Sequence, residues 1–451
     1  MTLKFGWYGD DFTGATDTLA MAARGNLRTI LFLDVPKPKQ LERIGPLDAI
    51  GIAGTARSMN PSQMHASLPK IGRFFQELAV PILHYKCCST FDSSPQSGSL
   101  GVAIKILGRY VGSRVAIIVG GQPDIGRYCC FGNLFATAGS SGHIFRIDRH
   151  PTMQCHPVTP MNEPDLRLHL KLQGMSEVIN IPFTAYEKGE TELDNHVEHA
   201  ALRCAGVNAE MNTGVLFDVA CDLHLRSVGR QIQRIAQQFN TALVVGSSVV
   251  LQSVLANREV GHQPNTSRPI YSANSPKQPS VSGVTFVFAA SLSPVTAAQV
   301  KSAGNYKKIP LQARKLLSDR DYRKMQRQRI CDLLDKNCSV LAYIDQQNGR
   351  DSQIDTSQFA TCTAEFIHSV VQRLSEHDTR LGRLGIAGGD TSSQAMSTLD
   401  VWALSYSRML SPGVTVCTMH SDTPGLDGIE VMLKGGQMGA DDVFDRFLVS
   451  S

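Results

Sequence analysis

Two adjacent carboxylates, Asp10 and Asp11, follow the first apolar run of this 451-residue sequence, in the segment GDDFTGATD. A glycine lets the chain turn there, and helix-forming residues follow. Ligands bind at the carboxyl ends of strands in open α/β sheets, so these carboxylates could hold a hydroxyl group or act as a general base. Aspartate is also a favoured helix N-cap, but one cap needs only one aspartate. Asp10 and Asp11 are therefore candidate catalytic residues, with capping as the alternative.

Cationic and hydroxyl-bearing residues follow two further apolar runs. Arg57 lies in the segment TARS, and Lys86 opens the segment KCCSTFDSSP, where it is followed by Cys87, Cys88 and Ser89. Arginine can bind a carboxylate in a bidentate manner, and lysine supplies a point charge. Each alone would be an ordinary solvated loop charge. At successive strand ends, together, they predict a site for an acidic ligand.

A rigid loop rich in proline and polar side chains occupies residues 148–161. Its histidines, His150 and His156, lack a convincing third ligand for zinc. Hydrogen bonding to a ligand and plain loop packing both remain open for them. We predict no metal held by protein ligands alone.

Three polar loops follow strands in the C-terminal half. They are AASLSPVT, which contains Ser291, GGDTSS, which begins at Gly388, and KGGQMG, which begins at Lys434. Paired glycines let backbone N–H groups approach phosphate oxygens, and a helix N-terminus adds favourable partial charge. Neither GxxxxGK[ST] nor GxGxxG occurs. Any one loop could be only a tight turn, whereas three at one sheet edge favour phosphate binding.

The elements that position these residues form two α/β halves. Short apolar, often β-branched runs alternate with helix-period stretches, which predicts mostly parallel sheets flanked by helices. A stretch rich in Pro, Ser and Asn separates the halves. We predict an N-terminal domain over residues 1–257, a linker over 258–282 and a C-terminal domain over 283–451. The predicted strands are residues 4–8, 28–33, 49–53, 81–85, 115–119, 215–217, 242–245, 284–289, 339–344, 383–387, 414–417 and 429–433.

Composition excludes several classes of protein. The 44 Lys and Arg against 40 Asp and Glu give a net charge of +4, which does not favour nucleic acid. No signal peptide or membrane span is predicted. The 11 cysteines lack a CxxC pair and are typical of reduced thiols, which favours a cytoplasmic location. A homodimer is compatible with the sequence, which does not determine the oligomeric state.

Taken in order, these segments resemble the four-carbon acid sugar kinase family. The resemblance covers both halves of the chain and follows the family's order. The matching segments are residues 10–15, 85–95, 149–151, 156–161, 245–248, 388–391 and 434–436. The chain departs from the family at 290–293, which reads ASLS where the family commonly carries GSCS, and at 120–127, which reads GGQPDIGR.

The resemblance implies an N-terminal domain that binds a sugar acid, a C-terminal domain that binds ATP, and an active site in the interdomain cleft. Asp10 or Asp11, Arg57 and the residues from Lys86 to Ser89 match the family's substrate contacts. The residues that match its nucleotide contacts are Ser291, Gly388, Gly389, Asp390, Thr391 and Gly435.

We therefore predict an ATP-dependent kinase that phosphorylates the terminal hydroxyl of threonate, erythronate or 3-oxo-tetronate, with Mg²⁺ bridging the phosphates. The small-molecule partners would be the sugar acid and ATP. One alternative is a non-catalytic regulatory protein that binds an acid sugar, for which the altered loop at 290–293 is the only hint. A nicotinamide-dependent sugar-acid dehydrogenase is the other, although it would normally carry GxGxxG.

Overall fold

The computed structural model describes residues 4–138, 142–156, 158–207, 210–257, 282–345, 356–377 and 379–449. They belong to two compact units. The first takes the described residues within 1–10, 21–29 and 35–269, and the second takes those within 11–20, 30–34 and 270–451. The predicted linker lies outside the described residues except for residue 282, so its bounds stay a prediction.

The strands alternate with helices along most of the chain. In chain order they are β1 (Phe5–Gly9), β2 (Thr29–Phe32), β3 (Ala49–Ala53), β4 (Ile82–Lys86), β5 (Ala116–Gly120), β6 (Arg127–Cys130), β7 (Asn133–Ala138), β8 (His143–Arg146), β9 (Glu177–Ile181), β10 (Thr213–Asp218), β11 (Ala242–Gly246), β12 (Val284–Ala289), β13 (Lys307–Leu311), β14 (Val340–Ile344), β15 (Leu381–Ala387), β16 (Ala403–Ser411), β17 (Val414–His420) and β18 (Glu430–Lys434).

The helices connect these strands. They are α1 (Phe12–Arg24), α2 (Pro38–Ile44), α3 (Pro61–Glu77), α4 (Leu100–Val111), α5 (Leu166–Leu172), α6 (Glu190–Val207), α7 (Leu223–Phe239), α8 (Val249–Ala256), α9 (Pro294–Ser302), α10 (Ala313–Ser318), α11 (Arg320–Asp335), α12 (Thr356–Glu376), α13 (Gly389–Thr398) and α14 (Val443–Leu448). Among the described residues, no helix has both the length and the apolar character needed to cross a bilayer.

The sheet of the first unit is parallel, with strand order β3-β1-β4-β11-β5-β10-β9. Strands β1, β3, β4, β5, β10 and β11 are buried along their whole length, as expected for a parallel sheet covered by helices on both faces. Their carboxyl ends therefore share one edge, where β1 and β4 deliver Asp10 and Lys86. The antiparallel strands β6, β7 and β8 form a separate small sheet.

Local sequence signals set the helix ends in this unit. Asn60 caps α3 by accepting a hydrogen bond from the Gln63 N–H at 2.9 Å, with Pro61 at the first helical position. Ser99 caps α4, which ends at Gly112 in the left-handed region. Because these helices begin and end at defined residues, the polar loops lie between the strands and the helices.

The sheet of the second unit is mixed, with strand order β13-β14-β12-β15-β18-β17-β16-β2. The first five strands are parallel, and the last four, β18-β17-β16-β2, pair antiparallel. Val287, Met432, Phe444 and Phe447 belong to a buried core cluster of this unit. Burying such side chains contributes about 1.5–3 kcal/mol each. This core supports the neighbouring strands β12, β15 and β18.

The predicted α/β class with two mostly parallel, helix-flanked sheets is confirmed. Strands β3 and β12 have the predicted bounds, and the other predicted strands are shifted, extended or, for β2 and β14, shortened at their ends. The period-2 and apolar-run signals missed β6, β7, β8, β9, β13 and β16. Of these, β6 and β13 carry exposed or half-buried residues rather than an apolar run. The N-terminal part of α1 and most of β2 belong to the second unit, a feature that no sequence signal indicated.

Candidate functional site

Asp10 lies at the carboxyl end of β1 and is held by its neighbours in the first unit. Its backbone N–H donates to the Lys86 carbonyl at 2.9 Å, and its carbonyl accepts from the Arg57 N–H at 3.1 Å. The Arg57 Nη2 also forms an ion pair with the Asp10 Oδ1 at 3.1 Å, and Asp10 is only 3 % exposed. The structure thus brings together three residues that sequence reasoning selected from three separate segments.

Lys86 is a buried cation at the end of β4. Its side chain is 4 % exposed, and its Nζ donates to the Cys87 carbonyl at 2.8 Å. Within the described residues, no carboxylate lies at ion-pair distance from this ammonium group. An ammonium group has three donors, so a buried one with a single carbonyl partner suits a site that receives an anion.

The thiols that follow Lys86 are not activated nucleophiles. Burial raises the pKa of Cys87 well above its ordinary value, with the charge of Asp10 adding to the effect. Burial, followed by the charge of Asp92, raises the pKa of Cys88 to about 11. The thiolate is the reactive form, so both cysteines are chemically quiet near neutral pH. Ser89 is buried beside them.

Asp92 belongs to this cluster, although sequence reasoning gave it no role. It is buried and accepts a hydrogen bond from the Thr90 Oγ1 at 2.5 Å. Burial raises the pKa of Asp92, but the charge of Arg57 and the hydrogen bonds from Thr90 and Cys88 outweigh it, so the pKa lies below its usual value. Its position two residues after a hydroxyl in the KCCSTFD segment was the available signal.

Asp11 has different surroundings, in the second unit. Its Oδ1 accepts from the Gly14 N–H at 2.9 Å, and its Oδ2 accepts from the Thr13 Oγ1 at 2.6 Å. Asp11 therefore caps α1, which is the structural alternative that the sequence left open. A Cβ placed on Gly389 would lie 3.9 Å from the Asp11 Oδ2, and the Phe12 N–H donates to the Ser393 Oγ at 3.3 Å. The start of α1 thus lies against the start of α13.

The three polar loops of the C-terminal half follow adjacent parallel strands, β12, β15 and β18. The Ala387 carbonyl accepts hydrogen bonds from the N–H groups of both Ala290 and Ser291, at 2.9 and 3.0 Å. The Gly388 N–H donates to the Lys434 carbonyl at 2.8 Å. The predicted convergence of the loops on one sheet edge is therefore present.

Two glycines at this edge are required, one by its backbone conformation and the other by a close side chain. Gly388 has a φ of +139°, a conformation that side-chain-bearing residues rarely adopt. A Cβ on Gly436 would lie 2.3 Å from the Ser291 Oγ. By contrast, a Cβ on Gly435 would lie 3.3 Å from the Met438 Cγ, a tight approach that a flexible side chain can relieve. The loops meet closely because these positions carry no side chain.

Helix α13 begins at Gly389, directly after this tight turn. Asp390 is exposed and Thr391 is 5 % exposed in its first turn. The first N–H groups of a helix have no intrahelical acceptor and carry a partial positive charge. The segment from Gly388 to Thr391 thus has the chemistry of an anion site.

Lys434 holds the third loop in place through hydrogen bonds, a role that the sequence did not predict. It is fully buried, and its Nζ donates to the Thr296 Oγ1 and to the carbonyls of Gly435 and Met438, at 3.0–3.1 Å. Burial lowers the pKa of Lys434 to about 7. Its place directly before the glycine pair at the end of a strand was a signal for this role.

His150 serves the local loop structure. Its Nδ1 accepts from the N–H groups of Thr152 and Met153 at 3.2 and 3.3 Å. His156 accepts from Thr159 in the same way, at 3.1 Å. In the described part of the chain, no group of three or more His, Cys, Asp or Glu side chains is arranged to hold a metal ion.

Comparison with known proteins gives the two halves separate matches. Residues 5–254 match a family model described as a sugar-binding N-terminal domain, and residues 286–444 match a nucleotide-binding C-terminal domain. A 3-oxo-isoapionate kinase from Paraburkholderia graminis is 35 % identical over 97 % of this chain and 92 % of its own length. The chain belongs to the four-carbon acid sugar kinase family. The resemblance read from the sequence motifs is confirmed.

Other relatives of this kinase-family member are more distant. A 3-oxo-tetronate kinase from Pectobacterium atrosepticum is 27 % identical and covers 98 % of both chains. The solved structure of Haemophilus influenzae protein HI1011 has a TM-score of 0.68 at 20 % identity, again over 98 % of both chains. The latter likeness extends to the fold alone.

Proposed function

We propose that this chain, a sugar-acid kinase by its family, phosphorylates the terminal hydroxyl of a short 3-oxo sugar acid, either 3-oxo-tetronate or 3-oxo-isoapionate. The observation that supports the proposal most is the end-to-end similarity to the Paraburkholderia graminis enzyme. Each unit also has a parallel sheet edge whose cations or backbone N–H groups suit an anion. Threonate and erythronate, which the sequence also suggests, are the reduced competitors.

The first unit would bind the acid. Lys86 supplies a buried positive charge with a single carbonyl partner among the described residues. Ser89 and Arg57 add donors at the same edge. A neutral polyol in place of the acid would leave the buried cation without a counter-ion. This arrangement therefore disfavours neutral polyols. The buried, un-ionised thiols of Cys87 and Cys88 would shape the wall of this site.

Asp10 is the candidate for orienting the acceptor hydroxyl, because it lies in the acid-binding unit and Arg57 fixes its carboxylate at 3.1 Å. In the transfer, the bond between the γ-phosphorus and the bridging oxygen of ADP breaks as a bond to the sugar hydroxyl forms. The hydroxyl proton passes to Asp10, and ADP leaves. Phosphoryl transfer depends mostly on positioning and charge stabilisation, so a positioned carboxylate suffices.

The second unit would bind MgATP through backbone N–H groups. The residues proposed to contact the phosphates are Ser291, Gly388, Gly389, Asp390, Thr391 and Gly435. Mg²⁺ enters with the nucleotide and usually keeps several waters, needing only one or two protein carboxylates. Asp390 and Asp11 are the carboxylates of this unit that flank the Gly389 turn, and their oxygen donors fit that ion. Bound Mg²⁺ would neutralise charge on the phosphates.

Coupled ADP release with a panel of sugar acids tests the proposal. The panel holds 3-oxo-tetronate, 3-oxo-isoapionate, threonate and erythronate, with the matching neutral tetritols as controls. We expect ADP release with a 3-oxo acid, and much less with any neutral tetritol. Acid binding without turnover across the panel would favour the non-catalytic regulatory alternative. NAD-dependent oxidation of an acid would favour the dehydrogenase.

A further inference from the structure

Two donor side chains face each other just beyond β5 in the first unit. Gln122 and Arg127 form an antiparallel bridge, in which the Gln122 N–H donates to the Arg127 carbonyl at 2.8 Å and the Arg127 N–H donates to the Gln122 carbonyl at 3.1 Å. Side chains directly opposite in such a pair project from the same face, about 4.5–5.5 Å apart at Cβ. Their side chains therefore start from neighbouring positions on one face of the pair.

Both side chains hold a buried donor that is not used within the described part of the chain. The Gln122 side chain is 1 % exposed, and its Nε2 is buried without a hydrogen-bond partner. The Arg127 Nε is buried without a partner as well. Buried unsatisfied donors are rare and costly in native proteins. Two of them on directly opposite residues indicate a missing acceptor.

The Arg127 guanidinium is fixed in place. Its Nη1 donates to the carbonyls of Ile125, Gly126 and Thr137 at 3.0, 3.2 and 3.4 Å. Over the residues that the structure describes, no carboxylate lies at ion-pair distance from it. Burial lowers the pKa of Arg127, although the neighbouring Cys88 and Asp92 act in the opposite direction. Arg127 is thus a rigid, partly buried cation whose Nε–H remains unused.

This donor pair is at the same sheet edge as Lys86. The Cys87 N–H donates to the Gly246 carbonyl at 2.9 Å, and the next residue, Ser247, donates from its Oγ to the Gly121 carbonyl at 3.4 Å. Gly121 precedes Gln122 directly. The electrostatic effect of Cys88 and Asp92 on Arg127 gives a second link to the Lys86 loop. The edge therefore continues from Lys86 across β11 to the donor pair.

We infer that Gln122 and Arg127 are specificity-determining residues that bind the carboxylate of the sugar acid, an assignment that rests on the proposed function. A carboxylate only accepts hydrogen bonds, and the two unused groups only donate. An arginine with a second adjacent donor gives such a group directed hydrogen bonds as well as charge. Lys86 supplies a second, less directed positive charge.

The test compares the acid with its methyl ester, which keeps the hydroxyl groups and loses the charge. In Gln122→Glu an acceptor replaces the unused donor at constant volume. We expect the KM for 3-oxo-tetronate to rise about 10- to 100-fold, because hydrogen bonds to charged groups are strong. The KM for the methyl ester should rise much less than the KM for the acid, because the ester has no negative charge for the new carboxylate to repel. The KM for ATP should stay the same, since ATP does not use that donor. Arg127→Lys keeps the charge but loses Nε, and should raise the KM for the acid about tenfold.

Gln237→Glu is the matched control, because Gln237 is an exposed residue of α7 and undergoes the same change of charge. It should leave all three KM values unchanged. A KM for the acid within about twofold of wild type in both Gln122→Glu and Arg127→Lys would overturn the inference. An equal loss for acid and ester would do so too, since it would show that the pair only braces the loop.

Failure of the proposed function is a separate result. If wild-type protein releases no ADP with any sugar acid, the kinase proposal fails first. The Kd of the same variants for 3-oxo-tetronate is then measured by calorimetry. Weaker binding of the acid to Gln122→Glu, with Gln237→Glu unaffected, would support the inference. Equal binding to wild type and both variants, or no binding to wild type, would contradict it.

Discussion

The two sheet edges are built from different chemistry. In the first unit the edge consists of charged side chains: the buried Asp10 with its half-buried partner Arg57, the buried cation Lys86 and the buried carboxylate Asp92. In the second unit it consists of backbone, with Gly388 and Gly436 allowing three loops to meet. Side-chain charges can recognise the particular shape of an acid, whereas N–H groups suit phosphates, which all nucleoside triphosphates share. The difference supports the proposal that the first unit determines which acid is bound.

The adjacent residues Asp10 and Asp11 express the same difference within one dipeptide. Asp10 is ion-paired in the first unit, and Asp11 caps a helix in the second. Substitutions that affect one ligand and spare the other test this separation.

The largest expected effect is that of Asp10→Asn. Loss of the carboxylate should lower kcat about 100-fold or more, the usual contribution of a positioned acid or base. Its amide still accepts a hydrogen bond from Arg57, although the unpaired guanidinium should lower the melting temperature. Steady-state kinetics with a 3-oxo acid measures the loss, and ATP affinity should be kept. Wild-type turnover in both Asp10→Asn and Asp11→Asn would show that neither residue is the base.

The next effect is that of Gly388→Ala. The φ of +139° costs a side-chain-bearing residue about 1–3 kcal/mol, so the turn should shift and weaken ATP binding. The KM for ATP should rise about tenfold, with little change in the KM for the acid. Gly304→Ala is the control in the same unit, because the nearest neighbour of a Cβ there would be the Asp445 Oδ2 at 3.9 Å, an ordinary contact. Equal changes in both KM values would mean that the two edges do not act separately.

Lys434 gives a pH-dependent prediction for the second unit alone. Its pKa is about 7 when folded and about 10.5 in the unfolded chain, where the group is exposed to water. Between these values the unfolded state binds more protons, so the free energy of unfolding should rise with pH, by at most about 1.4 kcal/mol per pH unit. Below pH 7 the full cost of burying the charge is present.

The comparison for this prediction is Lys434→Met, which has no group to titrate. Melting temperatures of both proteins across pH 7 to 10.5 give the difference, which should shift in favour of the wild type as the pH rises. A constant difference would show that Lys434 stays charged in the folded protein. The three acceptors around its Nζ would then outweigh burial.

The smallest effect is expected from Asp11. Asparagine caps a helix about as well as aspartate, whereas alanine costs about 1 kcal/mol. Asp11→Asn should therefore keep the melting temperature, and Asp11→Ala should lower it by a few degrees. If Asp11 also helps to hold MgATP, both variants should raise the KM for ATP. Loss of activity only in Asp11→Ala would restrict the residue to capping.

The sequence predicted the fold and the sheet edges well, because buried parallel strands give continuous apolar runs. It selected Asp10, Arg57 and Lys86, which the structure brings together. It could not predict that Asp10 and Asp11 belong to different units, since one peptide bond separates them and only tertiary packing assigns them. A ligand-binding role for Gln122 and Arg127 could not be predicted either, because an unused donor can be recognised only from the positions of its possible partners.

Phosphorus-31 NMR of wild-type protein with MgATP and a 3-oxo sugar acid tests the central claim most directly. We predict that ADP and a new phosphate monoester of the acid appear in equal amounts as ATP disappears. Release of inorganic phosphate without the ester, or no consumption of ATP by a protein that binds the acid, would contradict the account.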